Sequence, residues 1–257
     1  MKAVILAGGL GTRLSEETVS KPKPMVQIGG KPIIWHIFKI YSHFGINEFV
    51  VCCGYKGYMI KEYFINYAIH NSDISICLRT EKLEVHHKNV EPWKITLVDT
   101  GSETQTGGRL LRVSDHVANE RFCFTYGDGL ANINIKNLIH NHINNKRKVT
   151  LTAVKPPGRF GALVLDGDNV KEFKEKPDGD NAWVNGGFFI VEPSAINEIA
   201  NDSSNWEEDI LPKLSKQGEL NSYKHHGFWQ PMDTLRDKNK LEFLWKNGKA
   251  PWIMFNE

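Results

Sequence analysis

Apolar and polar positions along the chain alternate between two rhythms. Lys2 to Ala7 offers Ala, Val, Ile and Leu without a break, which suits a short strand of a parallel sheet, buried on both faces. Behind it, Ile33, Ile34, Ile37, Phe38, Tyr41 and Phe44 recur at three-to-four spacing. That spacing predicts a helix over 32–44, opened by Pro32 and stopped by Gly45. Glu48 to Cys53 predicts a second buried strand and Tyr58 to Ile69 a second amphipathic helix. Strand, helix, strand, helix implies a parallel sheet with right-handed crossovers, whose ligands gather at the carboxyl ends of the strands.

Further along, Asp73 to Arg79 reads as a third strand, and Thr80 to Pro92 breaks the rhythm as a polar insertion. Its adjacent His86 and His87 fit a surface loop or subunit contact better than a metal site, because neighbours on a strand point to opposite faces. Ile95 to Val98, Arg121 to Tyr126, Lys148 to Val154, Gly187 to Val191 and Leu220 to Lys224 predict strands. Asn134 to Asn145, Ala195 to Ala200, Trp206 to Leu214 and the stretch from Thr234 to Asn247 predict helices. Arg159 to Leu165 and Val170 to Lys174 read as a hairpin about Gly167. Glu207, Glu208 and Asp209 fit a helix N-terminus by the dipole argument. His225 and His226 read as a satisfied or exposed pair in a turn.

Composition narrows the picture without redirecting it. The 257 residues are 40% apolar and 24% charged, as in an ordinary globular protein, and suffice for one α/β domain. A net charge of +2 with scattered Lys and Arg excludes a nucleic-acid surface. The first apolar run is too short for a secretion signal, and no later stretch reaches the ~20 apolar residues a membrane span needs. Cys52, Cys53, Cys77 and Cys123 form no Cys-x-x-Cys pair and predict buried thiols in a reducing compartment. A cytoplasmic protein without nucleic-acid or membrane partners is the expectation.

Chemistry concentrates just behind the first strand, in Leu6-Ala7-Gly8-Gly9-Leu10-Gly11-Thr12-Arg13-Leu14 and Lys21-Pro22-Lys23-Pro24-Met25. Glycines let backbone amides approach a phosphate, and Arg13, Lys21 and Lys23 add charge, Lys23 from a segment stiffened by two prolines. No Ser or Thr follows a Gly-Lys pair, which rules out a Walker loop, and Leu14 stands where a dinucleotide fingerprint needs glycine. A second glycine turn, Thr104-Gln105-Thr106-Gly107-Gly108-Arg109, could read a base edge through its backbone and through Thr104 or Arg109, or simply start a helix capped by Thr106. Asp128, between Gly127 and Gly129, is a turn residue or a carboxylate for a hard cation such as Mg²⁺. Asp233, next to Thr234, either caps the last helix or is a second such carboxylate.

The two opening segments resemble the signature of the sugar-phosphate nucleotidyltransferases, which join a sugar 1-phosphate to a nucleoside triphosphate and release pyrophosphate. The resemblance implies a Rossmann-like, three-layer, mostly parallel sheet flanked by helices, with a small sugar-binding β/α elaboration in the C-terminal half. One domain, 1–257, would divide into a mainly nucleotide-binding half (1–130), a mainly sugar-binding half (131–248) and a tail (249–257) able to contact another subunit. It also implies that Leu6 to Arg13, Lys23, Thr104, Gly107, Arg109 and Asp128 hold the nucleotide. Gly161, Glu175, Lys176 and Asn185 would hold the sugar phosphate, and Asp128 and Asp233 the Mg²⁺. Arg13, Lys23, Asp128, Lys176 and Asp233 would carry catalysis.

Gly107-Gly108-Arg109, where thymidylyl and uridylyl members carry Gly-Leu-Ala, and the Glu84 to Trp93 insertion resemble the cytidylyl branch. CTP and glucose 1-phosphate are then the expected substrates, on the route to CDP-linked deoxyhexoses of bacterial surface polysaccharides such as O-antigen. A thymidylyl- or uridylyltransferase is the alternative, and a non-catalytic nucleotide-sugar sensor a more distant one. The family commonly forms homo-oligomers.

Overall fold

The apolar run at the start of the chain becomes β1 (Ala3–Ala7), an interior strand of the main sheet. In this computed structural model the described residues are 1–88, 90–156, 162–166, 169–174 and 182–254. The other strands of the sheet are β2 (Glu48–Cys53), β3 (Lys94–Asp99), β4 (Phe122–Tyr126), β5 (Val149–Val154), β6 (Val184–Val191) and β7 (Leu220–His225). In space they run β7-β5-β6-β4-β1-β2-β3. β6 is antiparallel to β5 and β4, and the remaining pairs are parallel.

Period-two alternation sends successive side chains of the sheet into two separate cores. On one face Ala3, Ile5, Ala7, Phe49, Val51 and Cys53 meet α1 (Ile33–His43), α2 (Gly57–Ile65) and α4 (Ile135–Asn145). On the other, Val4, Val50, Cys52, Phe122 and Phe124 meet α3 (Thr106–Arg112) and α5 (Leu211–Lys216). The last helix, α6 (Leu235–Lys246), returns to the first face through Leu241. Each Val, Ile, Leu or Phe side chain fully buried here contributes about 1.5–3 kcal/mol. The expected three layers are present, and they aim the carboxyl ends of β1, β2 and β4 at one rim.

Several expectations need correction. The helix predicted over 58–69 breaks at Asn66 into α2 and a short turn, Tyr67–His70. The strand expected at 73–79 forms as Ser72–Cys77, but it pairs antiparallel with Lys82–Lys88 and stands apart from the main sheet. Half of the supposed loop is therefore a strand. Cys77 lies exposed on this hairpin, while Cys52, Cys53 and Cys123 are buried as expected. The tail is built into the first core. Trp252 is fully buried, its ring stacks on Phe228, and its Nε1 donates to Nδ1 of His36 at 3.3 Å.

The hairpin expected at 159–174 is present as Ala162–Asp166 paired with Asn169–Lys174. His225 is satisfied, with Nε2 3.1 Å from the Phe228 carbonyl. Among the described residues no helix is long and apolar enough to cross a membrane.

Candidate active site

Where β1 ends, the chain turns through Gly8 to Gly11 over the rim of the sheet and opens a cavity of about 530 Å³. Leu6, Ala7, Gly8, Gly9, Leu10, Gly11, Thr12, Arg13, Lys23, Thr104, Arg109 and Asp128 all line it. Gly11 has φ +68°, a left-handed conformation that side chains disfavour. Gly8 is required for another reason: a Cβ there would run into the guanidinium of Arg109. Gly107 sits inside α3 and does not line the cavity; a Cβ on it would press on the Ser204 carbonyl. Thr106 opens α3 without capping it, since Gln105 holds the N-cap position.

Lys23 is presented by a one-turn helix, Lys23–Met25, directly after the extended Pro22, the stiff delivery that the two prolines imply. Its ammonium donates to Oδ2 of Asp128 at 2.7 Å and to Oδ1 of Asp233 at 2.8 Å. Arg13, exposed over three-quarters of its side chain, reaches Oδ2 of Asp233 at 3.0 Å. Burial works against the Lys23 charge, yet the Asp128 and Asp233 carboxylates outweigh it and raise its pKa above the usual lysine value. Asp233 has no capping task. Thr234 caps α6, accepting from the Asp237 N–H at 3.2 Å, while the Asp237 carboxylate accepts from the Thr234 N–H at 3.0 Å. The competition between cap and site carboxylate is thereby settled for Thr234 as the cap.

These contacts also test the site for a metal. Asp128 and Asp233, about a hundred positions apart in the sequence, converge on one cation, the Lys23 ammonium. Among the described residues no cluster of three or more His, Cys, Asp or Glu forms a closed cage. Two convergent carboxylates beside a phosphate-sized cavity fit a hard divalent cation that keeps waters and phosphate oxygens as its other ligands.

Arg109 is buried and held by neutral oxygens. Its Nη1 donates to Thr100 Oγ1 at 2.8 Å and to the Gly101 carbonyl at 2.7 Å, and its Nη2 to the Ser102 carbonyl at 3.1 Å. Burial lowers its pKa below the usual arginine value. Asn185 lies outside the cavity lining but donates through Nδ2 to the Tyr126 hydroxyl at 2.9 Å, and Tyr126 does line it. Gly161, Glu175 and Lys176 fall outside the described residues.

Tyr126 and Glu207 also line the cavity, although the sequence expectations gave neither a role in the site. Tyr126 carries a hydroxyl whose pKa is raised by burial and by the neighbouring Glu207. Glu207 lies in the first helical turn, as expected of a helix-start acid, and also lines the cavity. Asn205 performs the cap by accepting from the Glu207 and Glu208 N–H groups.

A three-layer fold carrying a glycine loop, a buried lysine and two convergent carboxylates at the rim of its sheet fits the nucleotidyltransferase class. The chain belongs to the nucleotidyl transferase family, whose profile it matches over residues 2–237. It is 61% identical over 253 residues to glucose-1-phosphate cytidylyltransferase of Salmonella typhi, covering 98% of both chains. The enzyme of that name from Salmonella typhimurium strain LT2 matches equally, at 61% over 253 residues and 98% of both chains. Among solved structures it resembles HddC of Yersinia pseudotuberculosis, with a TM-score of 0.71 and 23% identity, covering 95% of this chain and 99% of that one. At that identity the likeness speaks for the fold.

Proposed function

We infer that the protein transfers the cytidylyl group of CTP to α-D-glucose 1-phosphate, giving CDP-glucose and pyrophosphate. The near full-length match to glucose-1-phosphate cytidylyltransferases carries this reading. In it, a phosphate oxygen of the sugar 1-phosphate attacks the α-phosphorus of CTP in line. The bond from that phosphorus to the β-phosphate bridging oxygen breaks, and pyrophosphate leaves. The nucleophile is already anionic, so no general base is needed. The work left to the chain is to overcome repulsion between two anions and hold them about 3–3.5 Å apart.

Leu6 to Arg13 would cradle the triphosphate, and Arg13, Lys23 and Lys176 would place charge against its oxygens. Asp128 and Asp233 would hold Mg²⁺. When bound, the ion supplies positive charge to the phosphate oxygens as negative charge builds there. Lys23 would then leave the two carboxylates for the phosphates. Gly161, Glu175, Lys176 and Asn185 would take the sugar phosphate, completing a division into a nucleotide half and a sugar half.

Arg109 supports the choice of base. A guanidinium only donates, and cytosine offers N3 and O2 as adjacent acceptors, whereas uracil and thymine carry a hydrogen on N3. A buried donor facing that hydrogen would be left unpaired, which is how a site rejects an isostere. Thr104 adds a hydroxyl to the lining of the same cavity.

In the cell this reading implies a cytoplasmic enzyme at the entry to CDP-linked deoxyhexoses of surface polysaccharide. It is also read as a homo-oligomer. With Trp252 buried, the contact falls to the hairpin, where Ile76, Leu78 and Leu83 are exposed. Light scattering that returned a clean monomer would remove that part.

The decisive assay is pyrophosphate release over a panel of nucleoside triphosphates and sugar 1-phosphates with Mg²⁺. Turnover with CTP and glucose 1-phosphate alone is expected. Preference for dTTP or UTP would replace the cytidylyl reading with a thymidylyl or uridylyl one, and silence across the panel would favour a sensor.

A further inference from the structure

Glu207 faces the cavity, yet it has no place in the reaction as written. A carboxylate on the wall of a site for two phosphorylated substrates is electrostatically unfavourable unless it does something local. Both of its oxygens are engaged: Oε1 accepts from the Tyr126 hydroxyl at 2.5 Å and Oε2 from the Thr106 hydroxyl at 2.6 Å.

These bonds fix polarity along a chain of side chains. An ionised carboxylate only accepts, so Tyr126 must spend its single proton on Glu207. The tyrosine oxygen can then only accept, and it takes a hydrogen from Asn185 Nδ2 at 2.9 Å. The Asn185 amide is thereby turned with its oxygen toward the Gly187 N–H, 2.9 Å away. One hydrogen on Nδ2 remains to be donated elsewhere. At the other end, Thr106 gives its proton to Glu207 and accepts from the Trp206 N–H at 2.9 Å. Thr106 is the first residue of α3, two positions beyond Thr104.

We propose that Glu207 is a positioning residue: through Tyr126 it sets which way Asn185 presents its amide to the sugar 1-phosphate, and through Thr106 it anchors that setting to the base-reading turn. The proposal rests on the reading of Asn185 as a sugar contact. Helix capping does not explain the contacts, because Asn205 caps that helix start and the Glu207 side chain bonds to two other elements.

The test uses the full-length enzyme with Glu207→Leu, Tyr126→Phe, Asn185→Ala and the double variant Glu207→Leu/Asn185→Ala. Steady-state constants are measured for each substrate, and thermal melting confirms folding. Glu207→Leu is expected to raise KM for glucose 1-phosphate about tenfold while KM for CTP stays within about twofold. Tyr126→Phe, which removes only the relaying hydroxyl, should repeat that split and guards against a folding defect in the first variant. The double variant should be no worse than Asn185→Ala alone, since both act on one path. Equal rises in both KM values, a change in kcat alone, or additive losses would overturn the proposal while leaving the sugar assignment intact. An unchanged KM for glucose 1-phosphate in Asn185→Ala would overturn both.

Discussion

Lys23 and Arg109 both line the cavity, and they are held there in different ways. Lys23 is gripped by two carboxylates, whereas Arg109 is gripped by the Gly101 and Ser102 carbonyls and the Thr100 hydroxyl. A charge-assisted pair can be exchanged for another of similar strength when a phosphate and a divalent cation arrive together. Arg109 has no such exchange available. Withdrawing it would orphan several buried oxygens at about 1–3 kcal/mol each. Under the proposed function Lys23 would thus change partners during turnover, and Arg109 would stay still.

The sharpest way to break that contrast is Asp128→Asn, which keeps the shape and removes one charge from the exchangeable pair. We expect kcat/KM to fall about 10³-fold with the melting temperature nearly unchanged. Near-normal turnover in a folded variant would show that Asp128 is only a turn residue.

Arg109 should fail in a different manner. Arg109→Lys keeps a charge but cannot span the Thr100 hydroxyl and the Gly101 and Ser102 carbonyls. Unfolding by urea should show a loss of about 2–3 kcal/mol in stability, and preference for CTP over UTP should drop about 100-fold. Discrimination that survived the change would move base reading to Thr104.

His36 sharpens the contrast from outside the cavity. Like Arg109 it is buried against a carbonyl, with Nε2 2.9 Å from Ile28 O, but burial lowers its pKa to about 4. Trp252 Nε1–H donates to Nδ1, so the neutral ring carries its hydrogen on Nε2. Below about pH 6.5 the unfolded chain takes up a proton that the folded ring refuses. The stability this ring contributes is full above that pH and is lost as pH falls to about 4, amounting to about 3 kcal/mol. Urea titrations at stepped pH should show the decline, and a folded His36→Phe variant should lack that share of it.

Thr234→Ala is the mildest case. Removing the cap should cost about 1 kcal/mol of stability, read by thermal or urea unfolding, with only a small loss of turnover. A larger kinetic effect would mean that Asp233 depends on the cap for its position.

Much of this was legible in the sequence because it is local. Glu48–Cys53 forms the strand expected, and the last helix starts where expected, Thr234 being the one of the two candidates, Asp233 and Thr234, that caps it. Twelve of the thirteen residues expected at the nucleotide line the cavity, Gly107 being the exception. What stayed hidden depends on distant partners. Ile74 and Ile76 alternate with Asp73 and Ser75, a half-buried pattern unlike the continuous runs of β1 and β2, and that difference was the available sign that Ser72–Cys77 leaves the main sheet. Glu207 sits among Glu208 and Asp209 like any helix-start acid, and only the fold shows it bonded to Tyr126 and Thr106.

The claim that Lys23 changes partners while Arg109 does not is tested most directly by a crystal structure with a non-hydrolysable CTP analogue and Mg²⁺. The account predicts Lys23 Nζ within hydrogen-bond distance of a phosphate oxygen, its contacts to Asp128 and Asp233 broken, and Arg109 still on the Gly101 and Ser102 carbonyls. A bound nucleotide with Lys23 unmoved between the two carboxylates would contradict it.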